Sequence, residues 1–507
     1  MSVSRRVDAD ESNGPTVGSF GPCPAAGRGS YRPSMTRTRS ILTIALAGAL
    51  TVAACAGGTS TTKRTQTGAR GAGGVDPAQC GLDAFAKATK PIEVKFWHEM
   101  SRANADWLVK ETASFNTSQH DVHVTLVQFA NYQDLLTKYL SGLSTKALPD
   151  LFHPEDTTVQ RMIDSQSVMP VQACVDADHY SLAKLLPRAT AYFSYKNVLY
   201  GLPWSLSNPV LWYNKTAFVK AGLDPNKPPQ TLDQVKQYSQ KIVASGAAKH
   251  GIALRVEPYI FEFLNAKSGG TLVNNGNGRE ARATAATLQT PVATQIWSWW
   301  KDMVHSGLAL NTGGADGNID HMLAVGTGDA AMTMEASGVL GTVKKVLEEG
   351  QYKTVRIGTA PLPSLHGGGG VPVGDGSLWI SKASSPEKRA AAWQFIKYMA
   401  APEQQASLAV AGGFAPIRTD ATAVPVLAQK WAAEPIYRVS YDQLTTGAED
   451  ASTAGSLIGD YQGVRDAVKD GMLSMLTGGL SPTAALQKAQ READAAIKAY
   501  NDRIGAG

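Results

Sequence analysis

Two adjacent carboxylates, Glu155 and Asp156, directly follow a short segment, Asp150 to His153, that reads as a strand. Carboxylates at a strand end can accept paired hydrogen bonds from the hydroxyls of a ligand, a task a desolvated carboxylate does well. Asp156 also precedes a stretch of helical character beginning near Thr157, so it reads equally as a helix N-cap. A second stretch with chemical content runs from Leu199 to Thr231. Its first part, Gly201 to Asn214, sets the small polar residues Ser205, Ser207 and Asn208 between Trp204, Trp212 and Tyr213. Aromatic faces beside short hydrogen-bonding groups suit a small polyol, so the stretch reads as one wall of a ligand cleft. The alternative is an ordinary strand whose aromatics fill the core.

Patterns for catalysis are mostly missing from the sequence. There is no P-loop, no G-x-S-x-G elbow and no H-E-x-x-H helix. The HGGGG run from His366 to Gly370 lacks the nucleophile elbow of an esterase and reads as a turn. GNGREA, Gly276 to Ala281, follows an Asn-rich turn instead of a strand and is discounted as a dinucleotide site. His120 and His123 are separated by a helix break and a strand start, which disfavours a metal site. A secreted glycosidase is the alternative from another class, with Glu155 and Asp156 as acid and base. Consecutive residues point in different directions, which disfavours a matched pair flanking one bond. Neither catalytic residues, nor a metal, nor a cofactor is expected.

The elements that must position these residues alternate from Pro91 onward. Ile92 to Trp97 is a predicted strand, Ala103 to Asn116 a helix, Val122 to Phe129 a strand and Tyr132 to Ser144 a helix. This succession implies a parallel sheet covered by helices, with ligands bound at the crevice beyond the strand ends. From Thr231 to about Leu347 the pattern is mostly helical, and Trp297 and Trp300 share one helical face as core residues. Gly374 to Ile380 returns to a strand, and helices cover Pro386 to Met399 and Thr483 to Asp502.

The 507 residues, 43% hydrophobic and 18% charged, suit a large globular chain of two or three domains. Six arginines against three acids in residues 1–54 carry +3 of the formal +5, leaving +2 from Cys55 onward. So small a balance gives no argument for nucleic acid or an anionic surface. Ile41 to Ala54 is an apolar run too short to span a bilayer, preceded by Arg37 and Arg39, and reads as a secretory signal. Met35 is then a plausible initiator. The run Val52-Ala53-Ala54-Cys55 resembles a lipoprotein processing box with Cys55 lipidated, followed by a tether over 55–90 that is flexible from Ala56 to Gly74. That start would exclude Cys23, leaving Cys80 and Cys174 either as one disulfide or as two unpaired thiols.

The run YNKTAFVKAGLDPNKPPQTLDQV, from Tyr213 to Val235, resembles a signature of the extracytoplasmic solute-binding proteins of ABC importers. FWHEM (Phe96 to Met100), AMTMEASG (Ala331 to Gly338), GSLWI (Gly376 to Ile380), the helix from Pro386 and GGFAPIR (Gly412 to Arg418) match in the family's order. Within the family the likeness is to the glycerol-3-phosphate-binding type. The resemblance implies a two-lobed α/β periplasmic-binding-protein-like fold of class II over 91–507, with the ligand cleft between lobes. Lobe 1 is expected at about 91–205 plus 335–385, and lobe 2 at about 206–334 plus 386–507. It places ligand contacts at Tyr132, Glu155, Asp156, Ser207, Ser337, Asp375 and Phe414. Two capping tryptophans of the family fall on Val256 and Tyr259, leaving one aromatic platform. The arginine expected to pair with phosphate falls near Leu457, so Arg255, Arg418 or Arg465 would have to substitute, and Asp375 would repel phosphate. The expected function is therefore capture of a sugar or glycoside, with a glycerol-phosphate ligand as the alternative. The expected partners are an ABC permease and its ATPase, met by a monomer anchored outside the cytoplasm through its lipid.

Overall fold

A computed structural model describes residues 72–506, apart from 316, 318 and 351 and the side chains of 72, 348 and 349. The expected signal, Cys55 and the tether up to residue 71 lie outside the described residues. Eleven of the described strands build two sheets. In chain order they are β1 (Ile92–His98), β2 (Val122–Gln128), β3 (Leu151–Phe152), β4 (Val168–Met169), β5 (Leu202–Ser207), β6 (Pro209–Asn214), β7 (His250–Leu254), β8 (Ala309–Asn311), β9 (Ala330–Ala336), β10 (Ile357–Pro361) and β11 (Gly374–Ser381).

The first sheet runs β2-β1-β3-β11-β4, with β5 paired to β11; the second runs β8-β7-β9-β6-β10. In the first, β1 is parallel to β2 and β3, while β11 is antiparallel to β3, β4 and β5. In the second, β8 and β9 are parallel to β7, while β6 is antiparallel to β9 and β10. The ends of β1 and β3 and the start of β11 consequently share one edge of the first sheet, as parallel strands and one antiparallel neighbour require. Ile92, Val94 and Phe96 alternate with exposed Glu93 and Lys95 along β1, the period of a half-covered strand.

Helices α1 (Arg102–Ser118), α2 (Tyr132–Thr145), α3 (Pro258–Lys267), α4 (Pro291–His305), α5 (Pro386–Met399), α6 (Pro402–Gly412), α7 (Tyr461–Leu476) and α8 (Pro482–Arg503) cover the sheets. Five of them open on a proline, whose missing N–H costs nothing at that position. No described helix is long and apolar enough to cross a membrane.

The chain passes between the sheets more than once: at Asn208 between β5 and β6, and again between β10 and β11. Asn208 is buried, donating to the Ser440 carbonyl at 3.1 Å and accepting from Gln443 at 2.7 Å, so this crossing is tied down. Two expected lobe assignments need correction. β10, expected in lobe 1, pairs with β6 in the second sheet, while α5, expected in lobe 2, packs against β1. Both follow from long-range pairing that no local pattern reveals.

Cys80 and Cys174, both fully buried, are joined by a disulfide that fastens the segment before β1 to the first lobe. Gly201 to Asn214 forms β5 and β6 as expected, but its role as an aromatic wall needs correction. Trp204, Trp212 and Tyr213 are buried in the core, and every residue of both strands is covered. Trp297 and Trp300 are likewise core residues.

Candidate functional site

A cleft of about 410 Å³ opens where the loops beyond the strand ends of the two sheets meet. That volume lies in the range of small-molecule sites. Glu99 follows β1, Glu155 and Asp156 follow β3, Ser207 ends β5, and Asp375 lies at the start of β11. Tyr132 begins α2. From the second lobe come Arg255 and Glu257 after β7, Tyr259 on the first turn of α3, Glu335 at the end of β9, and Arg465 on α7.

Asp375 is the centre of the first-lobe wall. Its φ of 76° is left-handed, a conformation that costs a non-glycine residue energy and marks positions held by their surroundings. The Tyr132 hydroxyl donates to its Oδ1, Ser205 donates at 3.3 Å, and the Asp375 N–H donates to Asp156 Oδ1 at 3.2 Å. Next in the chain, Gly376 lies flat against the His153 imidazole, where any Cβ would collide with the ring. His153 Nε2 in turn lies 2.9 Å from Ser205 and 3.3 Å from the Tyr132 hydroxyl. Burial, reinforced by the neighbouring His98, holds His153 well below its usual pKa, so it contributes no charge to the site.

Six carboxylates line the cleft against two guanidiniums. Arg465 Nη1 donates to Glu155 at 2.6 Å, while its Nε and Nη2 fork onto Glu262 at 2.8 and 2.9 Å. Burial works against that charge, but Glu155 and Glu262 hold the guanidinium well above its ordinary value. Arg255 pairs with Glu257. Glu335 accepts from the Ala336 N–H at 2.7 Å and meets His321 Nε2 at 2.7 Å; burial alone would raise its pKa, but these contacts bring it below the usual value. Asp156 accepts the Tyr192 hydroxyl at 2.7 Å, and burial raises its pKa well above the ordinary range.

Glu99 and Asp375 remain without a cationic partner among the described residues. Burial, with Asp375 adding its charge, pushes Glu99 up to about 8; burial pushes Asp375 up to about 6. Both bind protons more tightly in the folded chain than in an unfolded one, where carboxyls titrate near about 4. Their contribution to stability is therefore complete below that pH and is lost as the pH rises through about 6 for Asp375 and about 8 for Glu99. Glu99→Gln is expected to flatten the decline in urea midpoint between roughly pH 5 and 8. An unchanged slope would mean that Glu99 is already ionised at the lower pH.

Of the residues anticipated from sequence, Tyr132, Glu155, Asp156, Ser207, Tyr259 and Asp375 line this cleft together. Ser337 and Phe414 do not, and both expectations are corrected. Ser337 is buried with its hydroxyl on Ser440 Oγ at 2.9 Å, and the Phe414 ring is buried against Gly338 and Gly412. Asp156 does not cap a helix through its side chain, because its carboxylate is taken by Tyr192 and Asp375. Arg418 is paired with Asp420 and lies off the cleft. Glu99, Glu257, His321 and Glu335 were not anticipated. Glu99 and Glu335 carried a signal, since each sits within a matched stretch, FWHEM or AMTMEASG, at a strand end. Among the described residues no group of three or more His, Cys, Asp or Glu side chains is arranged to hold a metal.

The family model described as bacterial extracellular solute-binding protein matches residues 111–437, well over half of the chain. The chain belongs to that family. This solute-binding protein is 26% identical over 428 residues to the sn-glycerol-3-phosphate-binding periplasmic protein UgpB of Brucella abortus, covering 83% of this chain and 95% of that one. Two solved structures share its fold. One is the sugar-binding protein MalE of Xanthomonas citri, with TM-score 0.69, 20% identity, and 82% and 100% of the two chains covered. The other is UgpB of Mycobacterium tuberculosis in complex with glycerophosphocholine, with TM-score 0.67, 18% identity, and 82% and 99% covered. The two-lobed α/β architecture expected from sequence is thus that of known solute-binding proteins.

Proposed function

We propose that this solute-binding protein captures a non-phosphorylated carbohydrate-type solute outside the cytoplasm and delivers it to the permease of an ABC importer. The observation that carries this reading is the state of the cleft's two arginines. Arg465 is shared between Glu155 and Glu262, and Arg255 is held by Glu257, so neither offers an uncommitted fork to a phosphate. The surrounding carboxylates favour a ligand rich in hydrogen-bond donors, which hydroxyl groups supply. Tyr259, packed on Phe263 with ring centroids 4.6 Å apart, offers the aromatic platform for a sugar face. Residues from both lobes line the cleft, so closure is favoured when a ligand touches both walls. Attachment through a lipid on Cys55, supported by the apolar run before it, and action as a monomer complete the proposal. No chemistry on the ligand is proposed.

The test is thermal unfolding of the purified protein against mono- and disaccharides, glycerol-3-phosphate and glycerophosphocholine, since a ligand of the native state alone raises apparent stability. A saccharide is expected to shift the transition, and Tyr259→Ala to weaken it by roughly two- to tenfold in Kd. A shift with the phosphate-bearing ligands alone would overturn the proposal.

A further inference from the structure

Resting on the reading of this cleft as a saccharide site, we propose that its ligand is an amino sugar whose protonated amine sits between Glu99 and Asp375. Each of the other four carboxylates in the cleft already has its own partner: Arg465 for Glu155, Arg255 for Glu257, His321 for Glu335, and the Tyr192 hydroxyl for Asp156. Glu99 and Asp375 instead line the cleft beside Tyr132, whose hydroxyl donates to Asp375. One phenolic proton cannot serve two carboxylates. The groups facing this pair are Tyr132, Ser205, Ser207, Tyr259, neutral His153 and the carboxylate of Glu155, and none of them is a cation.

An ammonium group has three N–H donors and one positive charge, which matches two carboxylates facing one cavity. Burial is the main cause of the raised proton affinity of both carboxyls, with the charge of Asp375 adding to it at Glu99 and that of Glu155 at Asp375. A bound amine supplies a counter-charge, so its binding is coupled to proton release. A quaternary ammonium has no N–H to donate and is held by aromatic faces. Tyr259 and Tyr132 are the aromatic rings lining this cleft, and the Tyr132 hydroxyl is committed to Asp375, so choline chemistry fits it poorly.

The experiment is calorimetric titration of the purified protein near neutral pH with matched pairs, glucose against glucosamine and N,N′-diacetylchitobiose against its deacetylated form, alongside choline. Each titration is repeated in two buffers of different ionisation enthalpy, which reads the protons released. The amino member of a pair is expected to bind about ten- to a hundredfold more tightly than the neutral one. Asp375→Asn keeps a residue tolerant of the left-handed backbone, and Glu99→Gln keeps the side-chain shape; either is expected to reduce the preference of the amino member over the neutral one to a few-fold. Equal or tighter binding of the neutral members, choline binding as well as the amines, or a preference surviving in both variants would overturn the inference while the saccharide reading stands. Binding of phosphate-bearing ligands alone, or of no saccharide at all, would remove both.

Discussion

Arg465→Ala is expected to lower the unfolding free energy by about 3–5 kcal/mol, the cost of leaving a buried carboxylate without its charge partner. Glu262 is almost fully enclosed and receives two of the three donors of the Arg465 fork. The third donor reaches Glu155 in the loop after β3, so one guanidinium on α7 ties the second lobe to the first. Arg465→Lys keeps the charge but loses the planar fork and should fall between wild type and alanine. Urea midpoints at constant m-value would measure both. If Arg465→Ala unfolded at the wild-type midpoint, the clamp would not be structural. Arg465 would then be available to an anion, and the case against phosphate would weaken with it.

The second large effect belongs to the disulfide. Replacing Cys80 and Cys174 together by alanine, or reducing the bond, is expected to cost about 2–5 kcal/mol. The bond closes a loop spanning 94 residues, and opening it enlarges the unfolded ensemble. Both sulfurs lie in the core, so alanine leaves small cavities but no unpaired polar group. A ligand-free melt with and without reductant reads the difference. No change on reduction would mean that the packing of the segment before β1, rather than the bond, holds it to the first lobe.

The amino-acid sequence by itself determined the element order and the class of fold, because alternation along β1 and the proline-opened helices are patterns within one stretch of chain. It also placed Tyr132, Glu155, Asp156, Ser207, Tyr259 and Asp375 at the cleft, since strand ends and matched motifs coincide there. Tertiary structure decided the rest. Whether Trp204 and Trp212 face a ligand or the core depends on which side of each strand the helices cover, and the core took both. The sheet to which β10 belongs depends on its pairing with β6 across more than a hundred residues of chain. Glu99 became a site residue only when folding brought it beside Tyr132 and Asp375, more than thirty and more than two hundred and seventy positions away. A carboxylate's proton affinity is set by the charges and solvent around it, and those neighbours are assembled by folding rather than by adjacency in the chain.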